Sequence, residues 1–117
     1  MQVLFVLNEP PYGTERCYNA LRLAAAFVRN DPSTTITIFL LADAVLCAKQ
    51  GQKTPDGYYN VERMMKRFTI DNHRLLLCGT CMDARGLSEA ELMAGAKRSS
   101  MDELAAATVA ADKVLNF

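Results

Sequence analysis

Residues 73–86 read HRLLLCGTCMDARG, and this stretch decides how the chain folds. Three consecutive leucines and Cys78 form a short apolar run, which is typical of a strand covered on both faces in a parallel sheet. Gly79 and the polar residues after it end that run. The pattern predicts a strand over residues 73–78 that delivers the Cys78 thiol to its carboxyl end, followed by a polar loop over residues 79–87.

The chain before this strand predicts two more strands and a helix. Residues 2–7 (QVLFVL) form a continuous apolar run, and residues 34–41 (TTITIFLL) are rich in β-branched side chains. Between them, Thr14 is predicted to cap a helix that ends near Asn30, because Pro32 disfavours helical geometry at the residue before it. Strands and a helix therefore alternate in this half of the chain.

The remaining segments continue this alternation. A short helix carrying Cys47 follows the second strand, and residues 49–59 (KQGQKTPDGYY) are predicted to form an exposed loop. Residues 113–117 predict a last strand, whereas residues 94–97 give only a weak strand signal. Further helix caps are predicted at Asn60, at Ser88 with Glu91, and at Ser100 with Glu103.

This order of elements predicts the fold class. Strands alternating with helices over 117 residues indicate one domain, residues 1–117, built as a three-layer α/β/α sandwich around a mostly parallel sheet. Ligands bind such sheets beyond the carboxyl ends of the strands. We therefore expect residues 8–14, 42–43 and 78–85 to gather at one edge.

Composition narrows the classes of function. Thirteen Lys and Arg balance thirteen Asp and Glu, so the chain lacks the basic footprint of a nucleic-acid binder and the polybasic patch of a membrane-surface protein. The first residues, MQVLFVLNEPP, lack the basic start of a signal peptide, and no apolar segment approaches the roughly 20 residues that span a bilayer. We expect a cytoplasmic protein whose four cysteines are reduced thiols.

Cys78 is the best candidate for a reactive group. Free backbone N–H groups after the strand and the positive charge of Arg85 would favour its thiolate. The alternative is a small buried hydrophobic residue, as most unpaired cysteines are. Cys81 could resolve a mixed disulfide or receive sulfur from Cys78, or it could be incidental. In thioredoxin-like proteins such a pair opens a long helix, and here the next predicted cap comes only at Ser88, which weakens that interpretation.

Other polar residues give weaker signals. Structural zinc needs four ligands, and the chain offers one close pair, since Cys17 and Cys47 stand alone on helical segments and His73 is interpreted as a surface residue. The NEPPYGTE turn has one glycine, where nucleotide-binding loops need more. We therefore predict no metal and no cofactor. Asp43, at a strand end, could belong to the site or cap the next helix.

Five motifs together resemble a known family. They are residues 11–24 (PYGTERCYNALRLA), 40–45 (LLADAV), 51–65 (GQKTPDGYYNVERMM), 77–87 (LCGTCMDARGL) and 111–117 (ADKVLNF). In their order and spacing they are similar to the YchN-like branch of the DsrE/DsrF-like family over essentially the full chain. The resemblance implies a largely parallel sheet of about five strands and a homo-oligomer, either a trimer or a hexamer. Related members include sulfur-relay proteins, in which the cysteine corresponding to Cys78 carries sulfane sulfur as a persulfide, whereas many members of this branch have no assigned reaction.

The leading hypothesis is that Cys78 accepts sulfane sulfur from a donor protein and passes it to an acceptor protein. The residues expected to support Cys78 are Gly79, Thr80, Cys81 and Arg85, with Arg85 as its charge partner. Those expected to shape the pocket are Asn8, Tyr12, Gly13 and Asp43. The alternatives are an oligomeric small-ligand-binding module with structural cysteines, and a dithiol oxidoreductase that uses Cys78 and Cys81.

Overall fold

A computed structural model describes all residues from Met1 to Phe117. The strands are β1 (Gln2–Leu7), β2 (Thr35–Leu40), β3 (Arg74–Cys78), β4 (Ala96–Ser99) and β5 (Lys113–Asn116). The α-helices are α1 (Arg16–Asn30), α2 (Val61–Met65), α3 (Gly79–Ala84) and α4 (Met101–Ala110). Short 3₁₀ helices span Ala42–Ala48, Lys66–Phe68 and Glu89–Glu91. None of the helices has both the length and the apolar character that crossing a membrane requires.

The five strands form one parallel sheet in the order β4-β3-β2-β1-β5. Because successive side chains of a strand point to opposite faces of the sheet, a strand can contribute side chains to a hydrophobic core on each face. Phe5 of β1 belongs to the larger core, under α1 and α2, while its neighbour Leu4 belongs to a smaller core with Phe39 and Leu76. Ala107 of α4 covers that second core. The three layers confirm the predicted sandwich and its five-stranded sheet.

The order of the strands places a topological switch point between β3 and β4. The chain steps from β1 through β2 and β3 to β4 in one direction, and residues after β3, such as Met82 and Leu92, pack in the larger core. It then returns across the sheet to β5 through α4, which lies on the opposite face. Neighbouring strands whose connections leave toward opposite faces form a topological switch point, where α/β sheets open a crevice for ligands.

Several predicted helix caps are confirmed. The Asn60 side chain accepts a hydrogen bond from the Arg63 N–H at 2.9 Å at the start of α2. Ser88 and Glu91 form the predicted capping box around Glu89–Glu91. Ser100 accepts from the Glu103 N–H at 3.3 Å.

Two caps differ from the prediction. Thr14 does not cap α1, because the N-cap is Glu15, whose φ of 60° places it in the left-handed region, and no side chain caps this helix. The box predicted at Ser100 is only half formed, because the Glu103 carboxylate bonds the Ser99 hydroxyl and pairs with Arg74 instead.

The segment after β3 corrects the sequence prediction most clearly. Residues 79–84 are not a loop but the short helix α3, and Cys78 is its N-cap. The prediction that helical structure resumes only at Ser88 is therefore wrong, and the pair Cys78 and Cys81 does open a helix. Gly, Thr and Asp are poor helix formers, so no propensity signal marks this helix.

Candidate functional site

The Cys78 thiol lies at the carboxyl end of β3, at the switch point between β3 and β4. It stands opposite Ser99 in the register of the two strands. Only 4% of Cys78 is exposed, and its side chain packs in the smaller core with Leu76. The thiol is therefore at the sheet edge where ligands bind, yet it is almost covered in the single chain.

Backbone N–H groups approach both thiols of the pair. The Cys81 N–H points to the Sγ of Cys78 at 3.4 Å, which is the capping contact of α3. The Ala42 N–H, just after β2, points to the Sγ of Cys81 at 3.2 Å. Ala42 has a φ of 51°, and strained left-handed residues concentrate at functional sites. The segments that follow two neighbouring strands, β2 and β3, thus converge on two sulfur atoms.

The pKa of Cys78 is raised above its ordinary value. Burial is the largest cause and the hydrogen bond with the Cys81 thiol is the second, whereas the N–H groups of Cys81 and Thr80 act in the opposite direction. The N–H groups therefore favour the thiolate as predicted, but burial outweighs them. In the single chain, Cys78 rests as a neutral thiol at neutral pH.

Arg85 is not the charge partner of Cys78. Its Nε donates to the Asp43 carboxylate at 2.9 Å, and its Nη1 donates to the Cys81 carbonyl oxygen at 3.0 Å. Because its carboxylate pairs with Arg85, Asp43 is not free to bind a ligand. Asp43 is not a helix cap either, since the N-cap of its helix is Leu41. The ion pair ties α3 to the 3₁₀ helix Ala42–Ala48.

The cation beside Cys78 is Arg98 of β4, which the sequence did not reveal. Its guanidinium forms two 2.8 Å hydrogen bonds with the Asp83 carboxylate and lies directly over Gly79. A Cβ at Gly79 would come within 2.7 Å of the Arg98 Nε, so glycine leaves the room for this approach. The pKa of Arg98 is raised, mainly by its hydrogen bond with Asp83, with a smaller contribution from Cys78 when that thiol is ionised.

The residues predicted to shape the pocket make their contacts elsewhere. Asn8 donates to the Asn116 side chain at 2.7 Å, at the end of β5 and on the far side of β1 from β3. The Tyr12 hydroxyl donates to Gln52 at 2.6 Å and accepts from the Val61 N–H, so it fixes the loop over residues 49–59. Gly13 forms the turn beside Tyr12 with a φ of 106°. The hydrogen bonds of this segment therefore do not lead to Cys78.

Cys17 and Cys47 form a second thiol pair, which corrects the view that they stand alone. The Cys17 thiol donates to the Glu9 carbonyl oxygen at 3.1 Å, and the neighbouring Cys47 thiol is the main cause that lowers the pKa of Cys17. Both residues are at most 1% exposed, and the neighbouring Cys17 thiol, followed by burial, raises the pKa of Cys47 well above its ordinary value. Their burial makes this pair part of the larger core.

His73 is not simply a surface residue. Its Nδ1 accepts a hydrogen bond from the Ile36 N–H at 3.0 Å, and burial lowers its pKa. A neutral imidazole is needed to accept this bond. His73 thus satisfies a backbone group of β2, far from the carboxyl end of the sheet.

The fold and this edge define a small parallel α/β protein that presents one covered thiol at a topological switch point. The sequence profile of the DsrE/DsrF-like family matches residues 1–117, and the chain belongs to this family.

Three relatives give the scale of the similarity. Protein YchN of Escherichia coli strain K12 is 40% identical over 116 residues, which are 99% of this chain and 98% of YchN. The uncharacterized protein MJ0989 of Methanocaldococcus jannaschii is 35% identical over 117 residues and all of both chains. The crystal structure of the E. coli ychN protein superposes with a TM-score of 0.93 at 41% identity, covering all of each chain. MTH1491 of Methanobacterium thermoautotrophicum, a protein of unknown function, shares the fold at a TM-score of 0.80 and 13% identity, covering 99% of this chain and 98% of its own.

Proposed function

We propose that this chain is a sulfur-relay protein that accepts sulfane sulfur on Cys78 as a persulfide and passes it to a cysteine of a partner protein. Members of the DsrE/DsrF-like family are associated with sulfur relay. The observation that carries the proposal is the position of Cys78 at the carboxyl end of β3, at the switch point beside β4, with Arg98 and the Cys81 N–H next to it.

The chemistry consists of two balanced exchange steps. In the first, the Cys78 thiolate attacks the outer sulfur of a donor persulfide, a new S–S bond forms at Cys78, and the donor cysteine leaves as a thiolate. In the second, an acceptor thiolate attacks the outer sulfur held on Cys78, and the Cys78 thiolate leaves. No net oxidation occurs, because each step breaks one S–S bond and forms one.

The surroundings of Cys78 fit a group that is held in reserve until a donor arrives. Burial keeps Cys78 as the unreactive thiol, because the thiolate is the nucleophile. The Cys81 N–H supplies a hydrogen bond that stabilises an anionic sulfur once it forms. Arg98, which is paired with Asp83, adds a guanidinium group close to it.

Self-assembly into a trimer or hexamer is part of this proposal. Helix α4 is apolar on most sides, and Val109 and Met101 on it are 88% and 59% exposed. A helix with this composition is typical of a buried position, so a second copy that covers α4 would explain it. Light scattering after size exclusion should give three or six times the mass of the chain, and a monomer at micromolar concentration would contradict assembly.

The sulfur-accepting role is tested by loading the protein with an inorganic polysulfide or a low-molecular-weight persulfide and mapping each cysteine by mass spectrometry. One added sulfur atom on Cys78 is expected in the wild type and in Cys81→Ser. Cys78→Ser should accept none. Sulfur found on Cys17 or Cys47 with none on Cys78, or on no cysteine at all, would overturn the proposal.

A dithiol oxidoreductase is the second candidate function, and α3 is the observation that favours it. Cys78 caps this helix and Cys81 lies in its first turn, as in a redox pair. The raised pKa of Cys78 opposes this role, since redox-active thiols at helix N-termini are acidified. A redox titration decides: a reversible Cys78–Cys81 couple within the potential range of cellular dithiols would favour the oxidoreductase.

A further inference from the structure

A groove between α1 and α2 collects arginines far from Cys78. Its volume is 670 Å³, and it is lined by Arg22, Arg29, Arg63 and Arg67 together with small and apolar residues. These four are among the thirteen Lys and Arg of a chain with no net charge, and no carboxylate lines the groove. The groove is therefore the site of a strong local excess of positive charge.

The four guanidinium groups form two rows that face each other. Arg22 and Arg29 are seven residues apart on α1, which is two helical turns or about 10 Å. Arg63 lies on α2, and Arg67 follows four residues later in the 3₁₀ helix Lys66–Phe68, so both project to the same side. All four side chains are exposed.

The carboxylates on or beside these elements make other contacts, and none forms an ion pair with the four arginines. Glu62 on α2 accepts a hydrogen bond from the Gln52 N–H at 2.9 Å. Asp31, after the end of α1, accepts from the N–H and hydroxyl of Ser33. The ion pairs of the chain are Lys49–Glu91, Arg74–Glu103, Arg85–Asp43 and Arg98–Asp83. The charge of the groove is thus left for another molecule.

Aromatic rings hold two of the arginines in place. The Arg22 guanidinium lies 5.4 Å from the centre of the Tyr18 ring, and that of Arg67 lies 5.6 Å from the centre of the Phe68 ring. Tyr18 in turn stacks on Tyr59 at 4.3 Å, which extends an aromatic surface from the groove toward the loop over residues 49–59. Arginine and tyrosine are the residues enriched in protein interfaces.

We propose that this groove binds an acidic, amphipathic segment of a partner protein. Carboxylates of the segment pair with the two arginine rows, and its apolar side chains cover Ala25, Ala26 and Met64 on the floor. Arginine suits this role because its planar guanidinium binds carboxylates with two hydrogen bonds. The surface is separate from the sulfur site, because Cys78 does not line the groove.

The groove fits a protein segment better than a small phosphate ligand. Phosphate sites use helix N-termini and backbone N–H groups, whereas Arg29 belongs to the last turn of α1, where the partial charge of the helix is negative. The charges also spread along about 10 Å instead of converging on one point. An extended row of carboxylates on a helix matches that spacing.

The probe for this proposal is a fluorescent helical peptide of about 15 residues with glutamates on one face and leucines on the other. Binding is measured by anisotropy with full-length protein. We expect saturable binding that Arg63→Gln with Arg67→Gln weakens by about tenfold or more, because paired charges are lost.

Lys97→Gln with Lys113→Gln is the matched control: both lysines are exposed on edge strands outside the groove, and the net charge changes equally. The control pair should change the dissociation constant by less than about twofold.

Three results would overturn the proposal. Equal weakening by the groove variant and the matched control would show non-specific attraction. Saturable, arginine-dependent binding of pyrophosphate or ATP without binding of the peptide would identify a small-anion site. Loss of self-association in the groove variant, measured by light scattering, would show that a second copy of this chain occupies the groove. Unchanged circular dichroism of the exposed variants serves as the folding control.

Discussion

Gly95 immediately precedes β4, so replacing it with alanine tests how firmly the strand that carries Arg98 is fixed. Its φ of +85° lies in the left-handed region, which alanine adopts at a cost. An added Cβ would come within 2.6 Å of the Thr69 Cβ and 3.1 Å of the Thr69 carbonyl oxygen. Carbon atoms normally approach to about 3.5–4.0 Å. Because the contact involves Thr69 backbone and Cβ, no side-chain rotation relieves it.

The structure gives a magnitude and a matched control for this change. A left-handed alanine costs about 1–2 kcal/mol, and the lower entropy of the unfolded chain offsets about 0.4–1 kcal/mol of that cost. Overpacking against Thr69 adds about 1–3 kcal/mol. Gly57 has a φ of +80° but nothing within 4 Å of an added Cβ, so Gly57→Ala should lack the overpacking cost. Gly95→Ala should therefore lose about 1–3 kcal/mol more unfolding free energy than Gly57→Ala.

Urea unfolding followed by circular dichroism measures this difference. With a slope of about 1–3 kcal/mol per molar urea, the midpoint of Gly95→Ala should lie about 1 M below that of Gly57→Ala. Equal midpoints for the two variants would refute the close packing of β4 against Thr69.

Two further predictions concern charge. Arg98→Gln should slow alkylation of Cys78 by iodoacetamide several-fold at neutral pH, because the thiolate loses a nearby cation and the Asp83 carboxylate is left unpaired. Arg85→Gln should leave the rate unchanged, and the reverse ranking would contradict the assignment of Arg98. His73 should make the protein less stable as the pH falls. Its folded-state pKa is lowered, so its contribution is fully present above the unfolded value near 6.5 and is lost below it. In the wild type, the urea midpoint should decrease as the pH is lowered from about 7.5 to about 5.5. It should change less in His73→Asn, which keeps an acceptor for the Ile36 N–H. Equal pH dependence of the two proteins would argue against this role.

Sequence predicted those parts of the fold whose signals are local. The apolar run of β1 and the β-branched run of β2 are strong strand signals, and both strands lie within a residue of the predicted positions. Asn60 was found because an amide side chain before an amphipathic stretch is a common helix cap. The strand predicted weakly at residues 94–97 is β4, which spans Ala96–Ser99. Its position was predicted only approximately, because its AKRS sequence is mostly polar and has no apolar run.

The site was predicted less completely, since it depends on contacts between distant segments. Arg98 reaches Gly79 only because β4 lies next to β3, and strand order cannot be read from residue types. Cys17 and Cys47 meet only when α1 packs against the 3₁₀ helix Ala42–Ala48. The position of Cys78 could be predicted, because the end of an apolar strand is a local feature.

Arg85 shows why charge alone misleads. It stands close to Cys78 in sequence, but in the folded chain its guanidinium bonds Asp43 and the Cys81 carbonyl oxygen, whereas the guanidinium of Arg98 lies over Gly79, next to Cys78. The burial that raises the pKa of Cys78 likewise comes from Leu76 and the rest of the smaller core, which includes α4. Neither the Arg85–Asp43 pair nor the burial of Cys78 could be predicted from the sequence, because both depend on contacts between distant segments of the folded chain.

The most direct test of a sulfur relay is the fate of sulfur already loaded on Cys78. Wild-type protein carrying one added sulfur is mixed with a thiol acceptor, and the mass of each product is measured over time. The relay predicts that the sulfur atom appears on the acceptor and that Cys78 returns to a free thiol. Release of the sulfur as hydrosulfide, with Cys78 and Cys81 joined in a disulfide and the acceptor unmodified, would contradict it.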